Sequence, residues 1–165
     1  MKKITLNPFD KKSIDDAIKQ LTEYKGKLAI KEAKLVERLA HLGATSASLG
    51  FSRAIYSGDN DVKVRVELDG NKAIIYADGE SVGFIEFGSG AKYGEGHPLN
   101  GEFGTGPGTW SMGEEGKGHW NDPKGWWFGD GQHTFGNPPA MAMFNAVNTI
   151  AEQIAQIVRE VWSSD

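Results

Sequence analysis

The chain has 165 residues, enough for one domain with a core of its own and few for two. It has no cysteine, which excludes disulfide scaffolds, thiolate metal sites and thiol nucleophiles and suits a reducing cytoplasm. Eighteen basic against 22 acidic residues, a net charge of -4, argue against a protein whose main task is wrapping nucleic acid. No run approaches the roughly 20 apolar residues of a membrane helix, and Met1 to Pro8 lacks the apolar centre of a signal peptide, so an intracellular, soluble protein is expected. Charge is uneven along the chain. Residues 1–42 hold ten basic and six acidic side chains, residues 43–165 eight and sixteen.

From Ser13 to Leu42 the residues Ile14, Ile18, Leu21, Leu28, Leu35, Leu39 and Leu42 recur mostly three, four or seven apart among Lys, Glu and Asp. This predicts an amphipathic helix over 13–42. Ser13 with Asp16 resembles a capping box, Gly43 is the expected stop, and Gly26 is the expected point of a break or bend. At 1.5 Å per residue it would be about 45 Å long, which requires a second long helix beside it or a partner beyond it. Ala44 to Ser57 is small and polar with a few aromatics and suits a short helix or an irregular crossing. Val62 to Leu68 alternates strictly, Asp69-Gly70-Asn71 turns, and Lys72 to Ala77 returns, which predicts a β-hairpin. Ser81 to Phe87 suits a buried strand or a short helix equally, and the sheet-and-signature region is set at 62–87.

Residues 88–136 lose all periodicity and hold 15 of the 22 glycines. A structureless stretch of that length is functional or disordered, yet this one carries four of the five tryptophans, whereas disorder goes with few aromatics. Within it, Gly125 to Phe135 reads as a hairpin about Gly129-Asp130-Gly131 that would extend the sheet. Pro138-Pro139 opens the last helix, 139–162, whose stripe of Phe144, Val147, Ile150, Ala151, Ile154, Ile157, Val158 and Val161 covers a sheet face or pairs with the first helix. The expected architecture is a single α+β domain over 1–165: a long N-terminal helix, a small mostly antiparallel sheet with a Gly/Trp-rich insertion, and a C-terminal amphipathic helix packed on the sheet.

The chemical motifs fall short one by one. Gly113 to Gly118 contains a Gly-Lys step, but Gly118 stands where a phosphate loop needs Ser or Thr and Ser111 where it needs Gly. His97, His119 and His133 lie among Glu95, Glu102, Asp122 and Asp130 without the spacing of a zinc site, and are read as solvated or hydrogen-bonded loop histidines. His41 is read as a favourable charge near a helix C-terminus. Phe87-Gly88-Ser89-Gly90 is not a nucleophile elbow, and Glu114-Glu115 on a loop cannot hold the separation glycoside hydrolysis needs. Neither a cofactor nor a catalytic group is expected. The tryptophans suit sugar stacking, a protein interface, or stapling of the loop onto its own sheet. Bases are disfavoured, because residues 88–136 hold three lysines against six acids.

Phe84-Ile85-Glu86-Phe87-Gly88-Ser89-Gly90, after a hairpin, resembles the aromatic-aliphatic-Glu-Phe-Gly-Thr signature of tail-completion, or head-tail joining, proteins of long-tailed bacteriophages and prophages. The order of parts is also similar, with Gly136-Asn137-Pro138-Pro139-Ala140-Met141-Ala142-Met143-Phe144 opening the last helix as in that family. Three features depart: Ser89 replaces the usual threonine, Gly43 to Leu49 replaces a Pro-x-Thr-Gly-x-Leu element, and the insertion from Gly90 to Gly136 is longer than in the shortest members, so no roles carry over there. The resemblance implies a non-enzymatic virion component at the neck, made in the bacterial host cytoplasm. It would form a homo-oligomeric ring, six-fold or twelve-fold, beside head-connector and tail-tube proteins. DNA would pass without specific binding, no membrane would be involved, and an acidic wall suits that passage. Interface residues expected from the signature and the aromatic cluster are Phe84, Glu86, Phe87, Gly88, Trp110, Trp120, Trp126, Trp127 and Phe135. Glu86 would serve an interface or fix the turn at Gly88 to Gly90, or else face solvent. A carbohydrate- or protein-binding module using the tryptophans is the alternative, and an enzyme acting through the loop histidines a more distant one.

Overall fold

The computed structural model describes residues 3–90, 93, 96–99, 124–127 and 133–163, with Trp126 and Trp127 described by their backbone alone. The chain is α+β. Helix α1 spans Lys11–Ser52, strand β1 Lys63–Asp69, strand β2 Lys72–Asp78, helix α2 Val82–Phe87, strands β3 Trp126–Trp127 and β4 His133–Thr134, and helix α3 Ala142–Ser163.

Helix α1 is longer than its periodicity predicts at both ends. Asp10, in extended conformation, caps it by accepting the Lys12 amide, while Ser13 Oγ takes the Asn7 amide instead of forming a capping box. Gly43 does not end it. A Cβ at Gly43 would come within 2.6 Å of both Ile150 Cδ1 and Ile75 Cδ1, so the glycine is there to let two side chains converge on the helix. Ala44 to Ser52 accordingly continues the helix, with Ala47 and Phe51 buried. The backbone also runs unbroken through Gly26, and His41 is mid-helix rather than near an end.

Helix α3 lies antiparallel along α1, as the successive pairs Gly50 with Ala142, Ser46 with Thr149, Arg38 with Glu160 and Lys31 with Trp162 require. Its inner stripe of Ala142, Ala146, Ile157 and Val161 is buried. It starts at Ala142, later than proline at a first turn would suggest. Ala140 and Met141 first pair with the end of α2, and Met141 adopts φ 53° just before the helix.

The hairpin is antiparallel, with Val64 opposite Ala77, Val66 opposite Ile75 and Leu68 opposite Ala73. Those residues share one face, and the other carries Arg65, Glu67, Tyr76 and Asp78 joined by an Arg65–Asp78 ion pair at 3.0 Å and a Tyr76 to Glu67 hydrogen bond at 2.9 Å. The Glu67 carboxylate beside it raises the Tyr76 hydroxyl above the usual phenol range. Residues 82–87 form a helix, not a strand, so the sheet ends at Asp78. Strands β3 and β4 pair antiparallel as expected but form a second sheet of two strands rather than extending the first. Their turn, Gly129-Asp130-Gly131, lies outside the described residues.

The core sits where these elements meet: Phe51, Ile85 and Ala142 are buried together, with Val62, Val64, Ala77, Val82 and Met143 packed around them.

Candidate functional site

The signature segment and the Pro-Pro-Ala-Met segment, some fifty residues apart in sequence, are bound to each other. Six residues are too few for a helix to persist alone, and the last four carbonyls of any helix lack partners within it. The incoming chain supplies three of them. Asn137 Nδ2 donates to Phe84 O at 2.8 Å, the Ala140 amide to Ile85 O at 2.8 Å, and the Met141 amide to Glu86 O at 3.2 Å.

The exchange runs the other way at the start of α3. That helix carries no acidic residue in its first turn and no Ser, Thr, Asp or Asn immediately before it. Glu86 provides the cap from α2: Oε2 accepts the Met143 amide at 2.9 Å and Oε1 the Phe144 amide at 3.0 Å. The carboxylate is only 5% exposed, and its charge lies at the positive end of the α3 dipole.

His97 completes the cluster. It is 3% exposed, so of the two places expected for it, solvated or hydrogen-bonded, the structure gives the hydrogen-bonded one. Its Nδ1 accepts the Leu99 amide at 3.1 Å, which puts the proton of the neutral ring on Nε2, facing Glu86 Oε1 at 3.4 Å. The ring is flanked by Phe87, with centroids 4.5 Å apart, and by Phe144, edge-on at 5.7 Å. Both Glu86 oxygens and both His97 nitrogens therefore have partners. Among the described residues no third His, Asp or Glu joins them as a metal site would require. The arrangement fastens elements together.

Just outside it, Ser89 and Asn137 close the chain on itself. The Ser89 amide donates to Asn137 O at 2.9 Å, the Asn137 amide to Ser89 Oγ at 3.2 Å, and Ser89 Oγ to Asn137 Oδ1. Gly88, at φ 77°, passes so near the other strand of the crossing that a Cβ there would come within 2.8 Å of the Pro139 nitrogen. The turn at Gly88 to Gly90 is thus held by Ser89 and Asn137, and not by Glu86 as the sequence suggested. The excursion between Gly90 and Gly136 leaves and returns through one point.

Of the residues expected at an interface, the structure brings Phe84, Glu86, Phe87 and Gly88 together in this clasp. Glu86 and Gly88 are buried and Phe84 and Phe87 half-buried, so the group faces inward and is not an exposed patch. Phe135 is separate and 47% exposed, with its ring edge-on to His133 at 4.7 Å. Trp126 and Trp127 form β3, and Trp110, Trp120 and His119 lie outside the described residues. His97, Ser89 and Asn137 were missed as partners because nothing local in the sequence joins them. The absence of a cap before α3, with a glutamate in an otherwise apolar short segment, was the one available signal.

A second remote carboxylate holds the other end of α2. Asp61 accepts the Glu80 amide at 2.7 Å and the Ser81 amide at 3.0 Å, and these two bonds, in that order of effect, lower its carboxyl below the usual carboxylate range. No helix among the described residues is long and apolar enough to cross a membrane. No family model, curated protein or solved structure matches this chain.

Proposed function

We propose that this chain is a non-enzymatic structural component of a bacteriophage particle, a tail-completion or head-tail joining protein. It would act in a ring at the neck, beside head-connector and tail-tube proteins, with DNA passing through unbound. The observation that supports the reading is the clasp. The two sequence elements that carry the resemblance, Phe84 to Gly90 and Gly136 to Phe144, are halves of one structural unit in which Glu86 caps the last helix. A glutamate required for that purpose gives the signature a physical reason to occur together with the Pro-Ala-Met start.

The rest of the chemistry is consistent with an assembly role. Glu86 and His97, the most buried ionisable groups among the described residues, are occupied with each other and with backbone amides. The clasp holds the two ends of the insertion, Ser89 and Asn137, against each other.

Quantitative mass spectrometry of particles purified from the host that carries this gene tests the reading. Copies per particle, referred to the major tail-tube protein, should fall at ring-like values between a few and about a dozen, as closed cyclic assemblies require. Complete particles lacking the chain would overturn it.

A further inference from the structure

A cavity of about 600 Å³ opens where the end of α3 meets α1, and it is apolar at its base and basic at its rim. Val161, 1% exposed, and the half-buried Leu28 lie deepest, while Tyr24 and Trp162, 64% and 40% exposed, line it nearer to solvent. A hollow of that size takes a few side chains of a ligand.

The charged residues that line it are all lysines, Lys27, Lys31 and Lys34, and no acid among the described residues joins them. They stand four and three apart on one face of α1. Helices stabilised by their own charges alternate sign at such spacings, whereas like charges there oppose folding. Glu23 and Glu37 are at helical spacing from Lys27 and Lys34 but form no ion pair with them. Among the described residues the ion pairs are Arg38–Glu160, Arg65–Asp78 and His97–Glu86. Lys31 has a structural task, since its Nζ donates to Trp162 O at 3.2 Å in the last turn of α3. That task accounts for one lysine and leaves the charge of Lys27 and Lys34 without a use inside the fold.

Three positive charges around an apolar base select an anion with an apolar body. The end of α3 then selects among anions. It is the negative end of that helix's dipole, so a ligand approaches it best with hydrogen-bond donors while carrying its own charge to the side, at the lysines. A peptide does both, with N–H groups along its backbone and carboxylates on its side chains. The phosphodiester backbone of a nucleic acid has a negative charge at every unit and no donor to offer, and a fatty acid brings one charge for three lysines. We propose that this cavity is a docking site for an acidic segment of a partner protein. An aliphatic or aromatic side chain of that segment sits against Leu28, Val161 and Trp162, and Asp or Glu on either side of it reaches Lys27 and Lys34. This goes beyond the neck assignment and does not depend on it: the purified chain is titrated alone, so a failure here leaves that reading standing.

The experiment is fluorescence anisotropy on the full chain with a fluorescein-labelled peptide in which Leu-Trp is flanked on both sides by runs of Asp and Glu. Far-UV circular dichroism on every variant checks that the helices are intact. The peptide should bind saturably at one site. Lys27→Gln/Lys34→Gln, at exposed positions and with Lys31 left in place, should weaken it about tenfold or more, and so should a peptide with Asn and Gln in place of its acids. Trp162→Ala should weaken it about fivefold or more by removing the apolar wall. Lys12→Gln/Lys19→Gln removes the same charge from the same helix outside the cavity and should change binding less than about twofold. Absence of saturable binding, equal losses in the two lysine pairs, or tighter binding of an oligothymidylate of the same length would each overturn the proposal. So would a free chain that sediments above its 17.9 kDa and is returned to that mass by the peptide, because the occupant would then be a second copy.

Discussion

The Glu86 carboxylate and the Phe144 amide are 58 positions apart in the chain and 3.0 Å apart in the structure. Two helix termini are satisfied by this one crossing: Glu86 caps α3, and the approach to α3 caps the end of α2. Replacing Glu86 by Ala strands two amides and the His97 Nε2 proton in a buried site, at a cost of about 2–4 kcal/mol. Gln keeps one acceptor oxygen but turns an NH₂ toward a donor, and should cost about 1–2 kcal/mol. Urea denaturation of the three proteins checks the order wild type, Gln, Ala. An Ala variant as stable as the wild type would contradict the capping role.

Two glycines of α1 make opposite predictions for the same substitution. Gly26 is exposed, with nothing within 4 Å of where a Cβ would stand. Gly26→Ala should stabilise the N-terminal half of α1 by about 1 kcal/mol, the difference in helix propensity, seen as greater helicity and slower amide exchange in residues 18–30. At Gly50 a Cβ would approach Ala142 Cβ to 2.7 Å and Ala142 Cα to 2.9 Å. Backbone cannot retreat as a side chain can, so Gly50→Ala should force α1 and α3 apart and cost about 1–3 kcal/mol despite its better propensity. Equal thermal shifts of one sign in the two variants would contradict this account.

Ser89 and Asn137 hold the base of the insertion through three hydrogen bonds, and Asn137 also reaches Phe84 O. Both residues are 5% exposed. Asn137→Ala should destabilise by about 2–3 kcal/mol, and a double-mutant cycle with Ser89→Ala should show coupling of about 1 kcal/mol or more. Additive effects would mean that the two side chains act separately.

What the sequence reveals follows from how far each interaction reaches. The hairpin is legible because strict alternation in Val62 to Leu68 and the turn at Gly70, which takes φ 58°, are local signals. The α+β class and both long helices are legible from periodicity for the same reason. Gly43 misleads because a glycine that ends a helix and one that admits Ile75 and Ile150 look the same in sequence. The ambiguity of Ser81 to Phe87 is also physical: seven residues have no preference strong enough to decide, and Asp61, Asn137 and Ala140 decide it from elsewhere in the chain. His97 could not be assigned to Glu86 before the fold brought Phe87 and Phe144 around it.

Asp61 connects stability to pH with a definite sign. Its carboxylate accepts the Glu80 and Ser81 amides ahead of α2, and these bonds hold its pKa below the usual carboxylate value. Unfolding removes the bonds and restores that value, so the unfolded chain binds the proton more readily than the folded one. The stabilisation is complete above the ordinary carboxylate range and is lost as pH falls through the lowered folded pKa. Glu160, lowered by hydrogen bonds from Gln156 and Arg38, adds a dependence of the same sign. Asp61→Asn abolishes the titration at one site only. The difference in unfolding free energy between wild type and Asp61→Asn should be constant from about pH 7 to about pH 5 and shrink toward about pH 2. Urea midpoints across that range measure it, and a difference that stays constant or grows as acid is added would mean that Asp61 does not carry this bond pair in solution.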